Sequence, residues 1–335
     1  MSHSIPLAAA APLPDLARPA ALAVAVAAVI AIPAIVGGFP LQLAVTGGLM
    51  AAAAMTLTVL TGTAGLLSLA QGAFLSVGAF TAGVLATSFG LGILPALLIA
   101  AFFGLILGGG VALLTLRVSG IYLAVGTFAF HHVVEILTGD IEVKLTQATG
   151  FILTHPVLFG LTVDTPLKWW GLTVGVIALV FVALNFLRRS HIGREWTFLR
   201  EDPSAAAALG ISLLRSRATV FMLTSSITAA VGVLSAYQLG NVQAGNYSIH
   251  IAIAYLTIVA LGRAGSLIGA IIASYVILLL PIPIEATLGL FGVDATSHIA
   301  GIENVLLGSI LVFSLLNGPD RVLALIKGRL RHGRG

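Results

Sequence analysis

The sequence predicts an all-α fold, a polytopic transmembrane bundle of about eight to ten helices with one short helix outside the bilayer. Three observations predict it. Of the 335 residues, 59% are hydrophobic and 8% charged, and mean hydropathy is +1.10, where a soluble domain carries roughly 25% charged residues. No Asp, Glu, Lys, Arg or His occurs between Arg18 and Arg117, and a water-soluble fold cannot leave so long a segment without polar cover. Apolar runs such as Ala21 to Val29 and Ile271 to Leu280 do not alternate with polar residues, as barrel strands would.

In chain order, Met1 to Pro19 is rich in Ala and Pro, has no Lys or Arg before Arg18, and so lacks the basic front of a cleaved signal peptide. It is expected to be a loose leader (residues 1–19). A transmembrane domain follows over residues 20–317. Its expected spans are Ala21 to Gly37, Leu41 to Thr61, Gly72 to Phe89, Ile93 to Leu116, Ile121 to Leu137, Trp169 to Leu187, Ala218 to Leu239, Ile249 to Leu261, Ser266 to Ile284 and Ile302 to Leu316. Pro33 interrupts the first, and the eighth is short for a full crossing, which suits a tilted or partial helix buried against its neighbours. Residues 318–335 form a basic tail.

Charge fixes the expected orientation. With ten spans and both termini inside, fourteen of the sixteen Lys and Arg fall on one side; Lys144 and Lys168 fall on the other with Asp140, Glu142, Asp164, Glu285 and Asp294. That asymmetry is the positive-inside signature of a cytoplasmic membrane protein with cytoplasmic ends. It also accounts for the net charge of +4 and the pI near 9.8 without nucleic acid. The outer loop from Thr138 to Lys168 suits either a partner surface or a plain solvated connection.

Chemistry is scarce. There are no cysteines, so no thiol catalysis and no Cys-ligated metal. None of Lys144, Lys168 or Lys327 follows Gly or precedes Ser or Thr, so no phosphate-cradling Gly-Lys-Ser/Thr loop exists. No His-Glu-x-x-His, Gly-x-Ser-x-Gly or paired carboxylates appear, and no catalytic residue or metal site is expected. Thr61 to Gly65 and Leu261 to Gly265 share Gly-x-Ala-Gly; internal duplication and two independent glycine turns both produce such a pair, the second more commonly.

The longest charged interruption, Ser190 to Ile211, lies in a polar loop over residues 188–217. Asp202 suits an N-cap, Pro203 the first helical position, Ala205 to Ala208 the helix body and Gly210 a left-handed stop. These residues fit a docking helix and an ordinary interfacial helix equally.

That segment, with its Ser-His-Ile-Gly-Arg start, Arg-Glu-Asp and closing Ala-Leu-Gly-Ile, resembles the cytoplasmic loop of permease subunits of branched-chain amino acid ATP-binding cassette (ABC) importers. Leu60 to Phe74 looks like the family's Gly-x-x-Gly-x-x-Ser-Leu-x-x-x-Ala-Phe signature, Arg117 to Thr127 is similar to Arg-x-x-Gly-x-Tyr-x-Ala, and Val259 to Ala270 resembles the Leu-Gly-Gly-x-Gly-Ser turn. Gly318 to Arg321 matches the closing region loosely. The resemblance implies a bacterial inner-membrane permease for a small polar or amphipathic solute: a branched-chain amino acid, related amino acid, amide, urea or aromatic carboxylate. It implies as partners a second related permease, two cytoplasmic ATPases that bind ATP and Mg, and an extracytoplasmic solute-binding protein. It also places Arg200, Glu201, Asp202, Pro203, Leu209 and Gly210 at the ATPase contact, as a coupling helix. The chain itself needs no cofactor.

Two departures stand out. Phe130-His131-His132, with Glu135 a turn later, replaces a family Phe-Gly-Glu, and Arg263 replaces a family glycine. Ionisable groups in a membrane line a path or find a partner. Expected path residues are Ser68, Gln71, Thr127, His132, Glu135 and Tyr255, though hydroxyls and amides also serve simply as helix-to-helix hydrogen bonds. A stand-alone channel or ion-coupled secondary transporter is the alternative reading.

Overall fold

The computed structural model describes residues 38–114, 120–158, 160–282, 301 and 305–313. The leader, the first expected span, Arg117 and the basic tail lie outside the described residues. Within them the chain is a polytopic helical membrane bundle. Seven helical segments are long and apolar enough to cross a membrane, and Leu267–Leu279 is a shorter apolar helix.

The helices are α1 Phe39–Gly62, α2 Gln71–Phe89, α3 Ile93–Leu114, α4 Ile121–Thr146, α5 Pro166–Arg189, α6 His191–Glu201, α7 Pro203–Ala208, α8 Leu213–Leu239, α9 Ile249–Gly262 and α10 Leu267–Leu279. Residues 305–313 are also helical. Each expected span from Leu41 onward coincides with one of these within a few residues, except α4. It runs to Thr146 rather than Leu137, because leaving the bilayer does not end a helix. The exposed Lys144–Asp140 pair at 2.5 Å supports the extra turns at i, i+4. Gln147, at φ 53°, stops it in the left-handed region.

Beyond α4, Phe151–Ile152 (β1), Val157–Leu158 (β2) and Leu161–Thr162 (β3) are two-residue strands, as is Asn241–Val242 (β4) after α8. β2 and β3 form a hairpin. β1 pairs antiparallel with β4, Phe151 opposite Val242, and so fastens the outer loop to the α8–α9 connection. Entry into α5 is set by Thr165, whose side chain accepts from Lys168 N at 3.4 Å, with Pro166 in the first turn. Lys168 Nζ donates to Asp164 at 2.6 Å, which holds that carboxyl below its ordinary pKa.

α1 is the hub. Its Ala51 to Met55 are fully buried, and it packs against α5, α8 and α10. In lipid, apolar area alone does not draw helices together, so close backbone approach must. The most extensive pair, α3 with α8, shows how. Gly104 and Gly108 face Ser225, whose hydroxyl donates to the Gly104 carbonyl at 2.7 Å. A β-carbon at Gly108 would collide with the Ser225 hydroxyl, whereas Gly110 has nothing within 4 Å.

Gly108→Val is therefore expected to lower stability by about 2 kcal/mol and Gly110→Ala to leave it unchanged. Thermal unfolding of the two detergent-purified variants compares them directly; equal melting temperatures would show that the α3–α8 contact tolerates a side chain.

Candidate functional site

Two helices begin inside the bundle rather than at its surface. α1 ends at Gly62, residues 65–70 run without helix, and α2 starts at Gln71. On the other side α8 ends at Leu239, the chain passes through β4 and a 3-10 turn at Ala244–Tyr247, and α9 starts at Ile249. The depth of the first break follows from side-chain pairing. Thr56 of α1 and Thr228 of α8 share a hydrogen bond at 2.7 Å, and Thr228 lies near the midpoint of α8. Gln71 Nε2 reaches that same level, donating to Ala53 O at 2.7 Å, Thr56 Oγ1 at 3.1 Å and Thr228 Oγ1 at 3.2 Å.

Non-helical backbone at membrane depth must find partners within the protein. α4 supplies them. Thr127 Oγ1 accepts from Leu69 N at 2.9 Å. One turn on, His131 is 1% exposed and bridges the two breaks, with Nδ1 3.2 Å from Leu69 O and Nε2 3.0 Å from Tyr247 O. A neutral imidazole has one N–H, so it donates to one of these carbonyls at a time; both bonds exist together only in the doubly protonated ring. Further out, Glu142 accepts from Ala244 N at 2.6 Å and holds the 3-10 turn. Neither α2 nor α9 has a side-chain N-cap bond. Their starts are neighbours, Gly72 lying against His131 and Ile251, so two positive helix ends converge there.

A cavity of about 140 Å³ opens beside this junction, between α1, α2, α8 and α9. Its polar wall is Thr46, Ser235, Gln238, Asn246, Tyr247 and Tyr255, and no charged side chain lines it among the described residues. The Tyr247 hydroxyl is buried and has no hydrogen-bond partner among the described residues.

Of the expected path residues, the structure gathers Ser68, Gln71, Thr127 and Tyr255 around the junction. Ser68 is buried and accepts from Ala70 N at 3.2 Å, and Tyr255 lines the cavity. His132 and Glu135 stand apart. They contact each other at 3.3 Å, with the His132 side chain 64% exposed, on the outward face of α4 with Tyr122, Val125 and Ile136. The inward residue is His131. A signal for it existed: Thr127, His131, Thr138 and Glu142 follow each other by 4, 7 and 4 residues, one face of a helix, and all four are buried.

The charged loop holds two helices, not the single one expected from Asp202 onward. α6 is capped by Ser190, whose Oγ accepts from Gly193 N at 3.4 Å. It is anchored by fully buried Trp196, which donates to Thr219 of α8 at 3.1 Å. α7 begins as its residues dictate: Asp202 Oδ1 accepts from Ser204 N at 2.8 Å and Ala205 N at 3.1 Å, Pro203 opens the helix, and Gly210 has φ 81°. Glu201, Asp202, Pro203, Leu209 and Gly210 are exposed, Leu209 at 71%. Arg200 is exposed as well, but its side chain reaches back to the bundle. Its Nη1 donates to the carbonyl of Gly62, and its side chain lies on Gly65. Gly62 in turn packs on the backbone of Ala264 and Gly265, so the two Gly-x-Ala-Gly turns touch.

The family described as branched-chain amino acid transport system, permease component, matches residues 39–315. The chain is 32% identical over 243 residues to the high-affinity branched-chain amino acid transport system permease protein LivM of Escherichia coli (strain K12), covering 65% of this chain and 57% of that protein. It is 28% identical over 283 residues to the autoinducer 2 import system permease protein LsrC of Enterobacter sp. (strain 638), covering 80% of this chain and 78% of that one. The chain thus spans less than two thirds of the LivM length. No solved structure matches it.

The bridging histidine yields a stability test. His131→Leu removes the one N–H that the neutral ring gives to these buried carbonyls and is expected to cost about 1–3 kcal/mol, His131→Asn less, and His132→Ala nothing measurable. Melting curves of the purified variants read this out, and a Leu variant as stable as the wild type would remove His131 from its bridging role.

Proposed function

Since the chain belongs to the family of permease components of branched-chain amino acid transport systems, we propose that it is one of two permease subunits of an ATP-driven importer in a bacterial inner membrane. The second permease, two cytoplasmic ATPases that bind ATP and Mg, and an extracytoplasmic solute-binding protein complete the assembly. The observation that carries the reading is a continuous connection. α7 is exposed and capped; α6, rigidly attached before it, grips the Gly62 carbonyl through Arg200; and residues 65–70 lead from that grip to the Leu69–His131–Tyr247 junction. An ATPase engaging Glu201, Asp202, Pro203, Leu209 and Gly210 would move the inner turns as a unit and shift the junction beside the cavity. Closing and opening that cavity alternately is what import requires.

The solute is a small, amphipathic, overall neutral molecule. Hydroxyls and amides of the cavity face Leu49, Met50 and Ile251 across about 140 Å³, which suits an aliphatic amino acid or a related amide better than a multiply charged ion. Ser68, Gln71 and Thr127 shape the route by holding the broken backbone, and Tyr255 meets the solute directly. His132 and Glu135, on the outer face of α4, would contribute to the route only where a second permease covers that face.

Leu209→Glu or Asp202→Lys should abolish ATP-dependent uptake in proteoliposomes of the assembled importer while insertion and solute-stimulated binding-protein docking persist. Uptake at an undiminished rate in those variants, or transport by the purified chain alone without ATP, would replace this reading with the stand-alone channel or ion-coupled carrier.

A further inference from the structure

At the cytoplasmic end by charge, a second cavity of about 540 Å³ lies between the ends of α5 and α6 and the α9–α10 turn. Arg188, Arg200 and Arg263 line it, and no Asp or Glu does among the described residues. Gly265, Ser266, Leu267 and Ile268 also line it; Ser266 is the N-cap and Leu267 the first residue of the 13-residue α10. Three positively charged residues and a positive helix end therefore surround one space. The single bond from Arg200 to Gly62 O leaves most of its five donors for other acceptors.

Arg263 carries a second signal. It sits at φ 70°, a backbone conformation that disfavours any residue with a β-carbon, between Gly262 and the Gly265 turn. Glycine would hold this turn with less strain. A long cationic side chain retained at a strained position, facing a cavity shared with two other arginines, fits a binding role.

We propose that this cavity binds a phosphate-bearing anion, held by the forked guanidinium groups of Arg188 and Arg263 over the α10 N-terminus. Arg200 joins from α6, so the bound anion clamps the cytoplasmic helices to the bundle. The ligand is the phosphodiester of an inner-leaflet anionic lipid or free phosphate; the chemistry is shared. This inference goes beyond the importer reading and stands whatever the solute is.

The test uses the full chain with the partners it copurifies with, in neutral detergent. Melting is followed with phosphatidylglycerol against phosphatidylcholine, and with sodium phosphate against sodium chloride at equal ionic strength. Phosphatidylglycerol is expected to raise the melting temperature by about 3 °C. Arg263→Gly, which relieves the backbone, should melt no lower than wild type yet lose most of the shift, as should Arg188→Gln; Arg215→Gln, exposed and outside the cavity, should keep it. An equal rise with phosphate assigns the site to free phosphate, and a rise with lipid alone assigns it to the headgroup. The proposal is overturned if no anion shifts the wild type, if Arg263→Gly keeps the full shift, or if Arg215→Gln loses as much.

Discussion

The constraint on which this structure depends is the backbone hydrogen bonding of two segments that lose helix inside the bilayer. Every free N–H or C=O there costs about 1–3 kcal/mol unless partnered. α4 repairs both breaks from one face: Thr127 accepts from Leu69 N, and His131 reaches the carbonyls of Leu69 and Tyr247. Gln71 ties the start of α2 to α1 and α8 through three acceptors. Because His131 touches both breaks, displacement of one is felt by the other. The pairs that satisfy the backbone are thus also the pairs that join the two breaks.

Packing without a hydrophobic driving force explains the rest of the architecture. Helices here meet through small residues, Gly104 and Gly108 on Ser225 and Gly62 on Gly265, where main chains approach closely and contacts add up. Such interfaces are stiff in the approach direction. α6 is tied to α8 through Trp196 and Thr219, and to α1 through Arg200 and Gly62.

Most spans were legible because an uncharged run in a chain this apolar has one physical home. The outer end of α4 was not, since a helix continuing into water carries the same polar residues as a loop. That the segment 65–70 enters the bundle was not legible, because the partners that let it do so lie on α4, more than fifty residues away in sequence. The α7 cap was readable from Asp202, Pro203 and Gly210 because capping is local. The inward turn of Arg200 was not, because Gly62 is its partner only in three dimensions. His131 was readable in principle from its spacing with Thr127, Thr138 and Glu142, which share one face of the helix.

The repeated Gly-x-Ala-Gly gains a physical account without appeal to ancestry. In both copies the first glycine, Gly62 or Gly262, lies where a β-carbon would strike main chain, against Gly265 and Gly269 respectively. In both copies the last glycine, Gly65 or Gly265, has positive φ, 69° and 92°. Each turn must reverse a descending helix in minimal space while packing on the other, and glycine at those two positions is what that geometry demands. At the second position the copies diverge: Thr63 has φ −94°, which any residue adopts, whereas Arg263 has φ 70°, which glycine would hold with less strain. Shared residues thus mark shared sterics, and the one differing residue, strained and cationic, lines the cavity that Arg188 and Arg200 also line.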